Sequence, residues 1–380
     1  MQFNFQGNSG WSPFPTGDSG TPSLPMDPGR LLKWVLLLGG VIFLVVILNL
    51  LRSIYTNLLW FDTLDYQGVY LKVLQTKVWL FFVGAMVFAA LVTPNAIVAY
   101  RQSRGEPVMP IVPPALFDML QRLFRWGIVL GALLLSIAFG VIASGQWETM
   151  LRFVNEVPFT TTDAASGAVI PAVDPVFHKN ISFYVFTLPV LNTVQGWLMG
   201  AVIVTMVATT SIYVINISLR GSTLALSLTT QMVAHASVLL GILLFVITWS
   251  YWIDIYELLF SRGGTIFGAS YTDMNARLPA LRFLIVLGII VGLLLLANAY
   301  FRSTKIIVGG FGLWVAAAII VGTVYPTLVQ RFQVAPNELA RERAYIPRNI
   351  EFTRQAFALD RIAVEEYGLA SISSGELQGQ

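Results

Sequence analysis

The sequence predicts an all-α polytopic membrane protein with about seven transmembrane helices and long extracytoplasmic loops. Two observations carry this. The 380 residues are 56% hydrophobic and only 11% charged, with a mean hydropathy of +0.71, against roughly 25% charge in an average globular domain. The apolar residues also fall in unbroken runs of the roughly 20 residues that cross a bilayer core. A soluble fold of this length could not keep so much apolar surface from water.

Seven runs qualify, at 31–51, 78–99, 126–145, 197–217, 232–252, 283–301 and 306–328. Backbone groups in lipid must bond within their own segment, so these runs are helices. Trp126 and Trp147 bracket the third run, roughly 31 Å apart at helical rise, which matches the hydrocarbon layer. Residues 1–29 are rich in Gly, Pro, Ser and Asn. They lack the basic and apolar regions of a cleavable signal, and read as a disordered cytoplasmic tail. The chain thus divides into that tail, a transmembrane domain at 30–329, and an extracytoplasmic tail at 330–380 of soluble composition that reads as the start of a further domain.

Lys and Arg are denser in the short connections at 101–125, 218–231 and 302–305 than in the longer ones. The longer connections also hold most of the acids, among them Asp62, Asp65, Glu148, Glu156, Asp174, Asp254, Glu257 and Asp273. The positive-inside rule therefore places the N-terminus in the cytoplasm and, after seven crossings, the C-terminus outside a plasma membrane. The connection at 101–125 starts extended at its prolines and ends in a short interfacial helix over 115–125.

Other classes are excluded or disfavoured. A net charge of +3 from 23 basic and 20 acidic residues gives no nucleic-acid signature, and the lack of cysteine rules out disulfides and thiolate sites. Two histidines, His178 and His235, cannot build a His-rich metal site, and no cofactor is expected. The run centres hold no acidic or basic residue, unlike most ion-coupled pumps. Pro94 is placed to kink the second span, and Gly39-Gly40, Gly309-Gly310 and Gly312 to pack helices closely.

Function should concentrate on the aromatic outer loops. In the first, Asp62 and Asp65 would share a helix face, as headgroup-facing residues or as a paired-carboxylate site. In the second, 181–188 reads as an edge strand or as the amphipathic lead-in to the fourth span. There His178 lies near Asp174, but no paired nucleophile such as GxSxG accompanies it. Asn180-Ile-Ser182 matches a glycosylation sequon. The third loop is the most polar. Asp254 and Glu257, three apart on a helix continuing from the fifth span, could each pair with Arg277, and Asp273 lies close by. These four residues form the candidate polar site, as a loop pinned by ion pairs or as a cation or ligand site. The phosphate loop GxxxxGK[ST] is absent. In the tail, 349–359 fits an amphipathic helix.

Taken together, these segments resemble the UPF0182 family of uncharacterised bacterial membrane proteins. The resemblance rests on Leu59-Trp-Phe-Asp62, Asp174-Pro-Val-Phe177 with Ile181-Ser-Phe-Tyr-Val-Phe186, His235-Ala-Ser-Val-Leu239, Tyr256-Glu-Leu-Leu259, Gly268-Ala-Ser-Tyr-Thr-Asp273 with Ala276-Arg-Leu-Pro279, Pro336-Asn-Glu-Leu339, and Asn349-Ile350 with Thr353-Arg354. It implies a seven-helix membrane region followed by a large extracytoplasmic domain, with this chain a fragment or a short member, and it brings no activity. The leading expectation is a non-enzymatic scaffold or accessory subunit of a complex, seated in the lipid bilayer and docking a protein partner on its extracytoplasmic face. The rivals are a transporter or channel component using the polar site, and a membrane-bound enzyme acting on lipid or envelope substrates.

Overall fold

A computed structural model describes residues 28–103, 113–162, 168–219, 229–263 and 267–357, with 359 and 362. The expected N-terminal disorder, the extended start of the 101–125 connection and most of 358–380 lie outside these residues. Among the described residues, seven helices are long and apolar enough to cross a membrane: Leu37–Thr63, Gln67–Gln102, Leu116–Ser144, Phe183–Leu219, Thr230–Phe260, Asp273–Phe301 and Thr304–Glu342. The chain is therefore an all-α polytopic membrane protein. Each helix contains most of one expected run but extends past it, because hydropathy marks only the lipid-depth part and nothing breaks the helix at the headgroups.

The chain divides into two compact units, Met1–Lys72 and Val73–Gln380. In the first, α1 (Pro28–Thr63) turns into the start of α2 (Gln67–Gln102). Asp65 adopts the left-handed conformation, φ 59°, and Tyr66 N–H donates to the Phe61 carbonyl at 2.9 Å. Phe61 stacks on Tyr70. Asp62 thus ends a helix while Asp65 forms the turn, so the two do not share a helix face as expected.

In the second unit, α3 (Pro114–Ser144) starts on Pro114, whose fixed φ and missing N–H suit a first helical position. No breaker follows, so the expected interfacial helix at 115–125 is the first turns of α3. Then come the short α4 (Trp147–Val154) and a two-stranded antiparallel ladder of β1 (Thr160–Thr162) and β2 (Val169–Pro171). Next are α5 (Leu188–Leu219), α6 (Thr230–Glu257), α7 (Leu278–Phe301) and α8 (Thr304–Ile319). Three short helices follow: α9 (Tyr325–Val329), α10 (Glu338–Glu342) and α11 (Ile346–Ala356). The last realises the expected tail helix three residues early. Segment 181–188 is helical, which removes the edge-strand alternative.

Phe88, Val92, Phe139 and Ala201 join α2, α3 and α5 in one core cluster; Leu244, Val291, Leu295 and Trp314 join α6, α7 and α8 in another. The close helix crossings are not at the expected glycines. Gly309 and Gly312 face open space, and Gly310 meets Leu294 and Val291 at an ordinary 3.6 Å. The tight approaches to a neighbouring helix are at Gly84, Gly140, Gly241, Gly288, Gly292 and Gly322.

Four π-helical segments occur among the described residues: Phe183–Thr187, Asp273–Arg277, Ile320–Val324 and Gln330–Val334. Each ends two residues before a proline, namely Pro189, Pro279, Pro326 and Pro336. Proline has no N–H for the carbonyl four residues back, and its ring collides with that carbonyl. Those carbonyls belong to Val185, Asn275, Gly322 and Phe332, each inside its π segment. Widening the turn relieves the collision without ending the helix.

Candidate functional site

The connections after α4 and after α6 meet the tail at one end of the second unit. The loop after α4 is organised by Asp174, which is 3% exposed. Its carboxylate accepts the N–H groups of Val176, Phe177 and Lys179 and the hydroxyl of Tyr184, at 2.8, 2.5, 2.8 and 2.8 Å. Asp174 therefore holds the loop rather than orienting His178, which is exposed with φ 54°. Asn180 is equally committed: its side chain bridges both backbone groups of Phe159 and caps the Ser182 N–H. Glu156 accepts from the Ser182 and Thr187 hydroxyls, tying the loop to the first turns of the fourth span.

The tail folds back on the loop after α6. Glu342, 1% exposed, receives the Tyr271 N–H on both carboxylate oxygens, each at 3.1 Å. Arg341 lies over the Tyr271 ring and donates to its hydroxyl at 3.2 Å. Asn275 donates to the Tyr345 hydroxyl at 2.9 Å, Asn349 donates to the Phe267 carbonyl at 2.6 Å, and Thr272 bonds Gln330. Val329, Val334 and Ala276 pack beneath. No composition signal marked Glu342 or the loop it holds, because its partner lies 71 residues away.

The four residues of the candidate polar site do not form one cluster. Asp254 and Glu257 do continue from the fifth span on α6. Arg277, however, pairs with Asp273 at 3.1 Å, four residues back on its own helix, and not with either of them. Glu257 instead accepts from Asn192 at 2.5 Å. Asp254, Glu257 and Arg277 line one cleft of about 450 Å³ with Leu258, Phe260 and Ser261. Asp273 and Arg277 line another of about 390 Å³, bounded by residues 322–335 of the seventh span. Arg277 alone stands in both. Among the described residues no three metal-ligating acids or histidines gather closely enough to hold an ion.

This geometry makes a specific prediction. The Asp254→Asn, Glu257→Gln double change removes charge but breaks no ion pair, so its cost should stay within about 1 kcal/mol. Melting in detergent should fall slightly, with no dependence on added calcium in either form. A saturable calcium-induced rise in melting temperature, lost in the double variant, would overturn the structural reading in favour of a metal site.

At the opposite end, His235 is buried between side chains of three helices. Its Nε2 lies 2.8 Å from Asn95 Oδ1 and its Nδ1 2.8 Å from the Tyr213 hydroxyl, which also lies 2.8 Å from Gln102 Oε1. Asn216 donates to the Ser103 hydroxyl. Asn298 donates to Ser237 at 2.8 Å and closes the turn between α7 and α8 through both backbone groups of Ser303. The span-end asparagines and His235 thus fasten helix ends together. Asn95, Gln102 and Tyr213 were not singled out in the sequence, since none stands out among span-end polar residues.

The profile of an uncharacterised protein family, UPF0182, matches residues 34–379. A UPF0182 protein of Thermobifida fusca is 34% identical over 339 residues, covering 88% of this chain and 31% of that protein. One from Frankia casuarinae is 32% identical over 342 residues, covering 87% and 32%, and one from Streptomyces coelicolor 33% identical over 349 residues, covering 90% and 34%. The chain spans about a third of the length of these curated relatives. No solved structure matches.

Proposed function

The chain belongs to UPF0182, an uncharacterised protein family, and we propose that it is a scaffold or accessory subunit that docks a protein partner or domain. In this reading it is a multi-pass protein of the cytoplasmic membrane with its N-terminus inside and its C-terminus outside. Residues 30–329 form the membrane domain, and 330–380 lead out of it on the docking face.

One observation carries the reading: the tail is locked onto the loop after α6 through Glu342 and Asn349. Rigid apolar side chains are therefore held in the open, with Phe267 55%, Leu339 76%, Ile350 52% and Phe357 75% exposed. Ordered exposed apolar groups beside a polar rim mark interaction surfaces. The curated relatives, about three times as long, carry further chain that could supply a docked domain. The transporter reading is weaker because its four residues split between two clefts. The enzyme reading is weaker because Asp174, the expected orienter of His178, is spent on the loop.

Topology is the first test. The chain lacks cysteine, so single cysteines report without background. Val169→Cys and Phe357→Cys should react with an impermeant thiol reagent in intact cells, and Thr304→Cys only after permeabilisation. Labelling of Phe357→Cys only after permeabilisation would sink the proposal. A photo-crosslinking residue at Ile350 should then give a discrete protein adduct in native membranes, absent from the same residue at Val286.

A further inference from the structure

We propose that the cleft between the sixth and seventh spans is an anion site for a phosphate-bearing ligand, independent of any docking role. Half of the lining of this cleft of about 390 Å³ comes from three of the four π segments: Asp273 and Arg277 from one, Gly322 and Thr323 from the next, Gln330 and Arg331 from the last. Widened turns of this kind recur at functional sites. Here the prolines explain how they form, while their clustering around one cleft explains what they shape.

Donor bookkeeping gives the sign of the ligand. Asp273 is 1% exposed and already satisfied: one oxygen accepts the Ser270 N–H and hydroxyl at 3.1 and 2.8 Å, the other accepts from Arg277. Arg277 uses a single nitrogen in that bond at 3.1 Å, which leaves its remaining N–H donors for the two clefts that it lines, this one and the one it shares with Asp254 and Glu257. Arg331 makes no ion pair among the described residues. Gln330 receives the Thr272 hydroxyl on its carbonyl oxygen, so its amide NH₂ is the uncommitted end. The wall therefore presents two guanidiniums, an amide and the Thr323 hydroxyl, against one carboxylate shielded from the space. Two guanidiniums and neutral donors lining one cleft suit a phosphate, which accepts several charge-assisted bonds at once. The cation site considered for Asp273 is the wrong sign for this wall.

The ligand's phosphate could belong to a lipid headgroup or be free in solution, and the test separates the two. The purified full chain is stripped of lipid in detergent and melted against rising inorganic phosphate at constant ionic strength. In parallel, chain reconstituted with phosphatidylglycerol or phosphatidylcholine is released for native mass spectrometry. A saturable rise in melting temperature, with an apparent affinity about tenfold weaker in Arg331→Gln, supports the site and assigns free phosphate. A phosphatidylglycerol adduct lost in Arg331→Gln, without a phosphate response, supports the site and assigns a headgroup. Arg331→Gln removes no ion pair, so it should melt with the parent in the absence of ligand. Should it fail to fold, the near-isosteric Thr323→Val carries the same readouts. A non-saturating phosphate effect equal in parent and variant is general salt stabilisation. That result, together with adducts indifferent to headgroup and to Arg331, overturns the proposal.

Discussion

Replacing Asp174 by alanine is expected to destabilise the protein by about 3 kcal/mol or more, the largest effect of any single side chain in the loops. The carboxylate is 3% exposed and satisfies three backbone N–H groups and the Tyr184 hydroxyl. Alanine leaves all four donors unpaired in a part-buried site, at about 1–3 kcal/mol each before water enters the gap. Asp174→Asn keeps the shape and one acceptor oxygen but turns an amide NH₂ toward one pair of donors, so it should cost roughly half as much. Tyr184→Phe removes one bond and should cost about 1 kcal/mol. The measurement is thermal melting in one detergent, with the order Ala, Asn, then Tyr184→Phe. A melting temperature for Asp174→Ala indistinguishable from the parent would show that water satisfies the loop and that Asp174 does not organise it. By contrast, His178 has φ 54° beside this loop, so His178→Gly should cost nothing and relieve a left-handed backbone.

The membrane architecture was legible because hydropathy is a summed property. Twenty apolar residues in a row outvote any single exception, and all seven spans follow from that sum. What escaped depends on individual atoms meeting across the fold. The Asp273–Arg277 spacing of four was readable as a helix pair, yet Asp254 and Glu257 competed for the same arginine, and only geometry chooses among three acids. Glu342 looked like one more charge in a polar tail; its burial follows from a backbone N–H 71 residues earlier. Of the four prolines beside the π segments, only Pro326 falls inside an apolar run, where a proline demands a kink or a widened turn; Pro189, Pro279 and Pro336 lie beyond the run ends, where hydropathy does not say that the helix continues. The glycine expectation failed for a related reason. Every glycine in a span is permitted to sit at a helix contact, but the sequence does not say which ones face a neighbour.

Those facing glycines set the second large effect. Gly84→Ala should separate α2 from α3, because the added Cβ would lie 2.6 Å from the Ala143 Cβ and 3.2 Å from the Phe139 carbonyl. Neither obstacle is the tip of a flexible side chain. On the facing helix, a Cβ at Gly140 would meet the Phe81 carbonyl at 2.8 Å and the Ala85 Cβ at 3.0 Å, so the crossing is closed from both sides. Separation would also pull apart the Phe88–Phe139 stack, with centroids 4.0 Å apart. Lipid tails are as apolar as the helices they surround, so association there rests on close packing and hydrogen bonds rather than on hydrophobic burial. Overpacking costs about 1–3 kcal/mol in well-packed cores, and Gly84→Ala should fall at the upper end. Ala143→Gly in the same chain removes the 2.6 Å clash and leaves the milder contacts with the Phe139 carbonyl at 3.2 Å and the Gly140 Cα at 3.4 Å, so the double variant should melt above Gly84→Ala alone. Positive coupling of that kind is the signature of direct contact. Gly309→Ala, with nothing within 4 Å, serves as the control and should match the parent or slightly exceed it, since alanine is the better helix former. If Gly84→Ala melted with Gly309→Ala, α2 and α3 could not be as close as the structure places them.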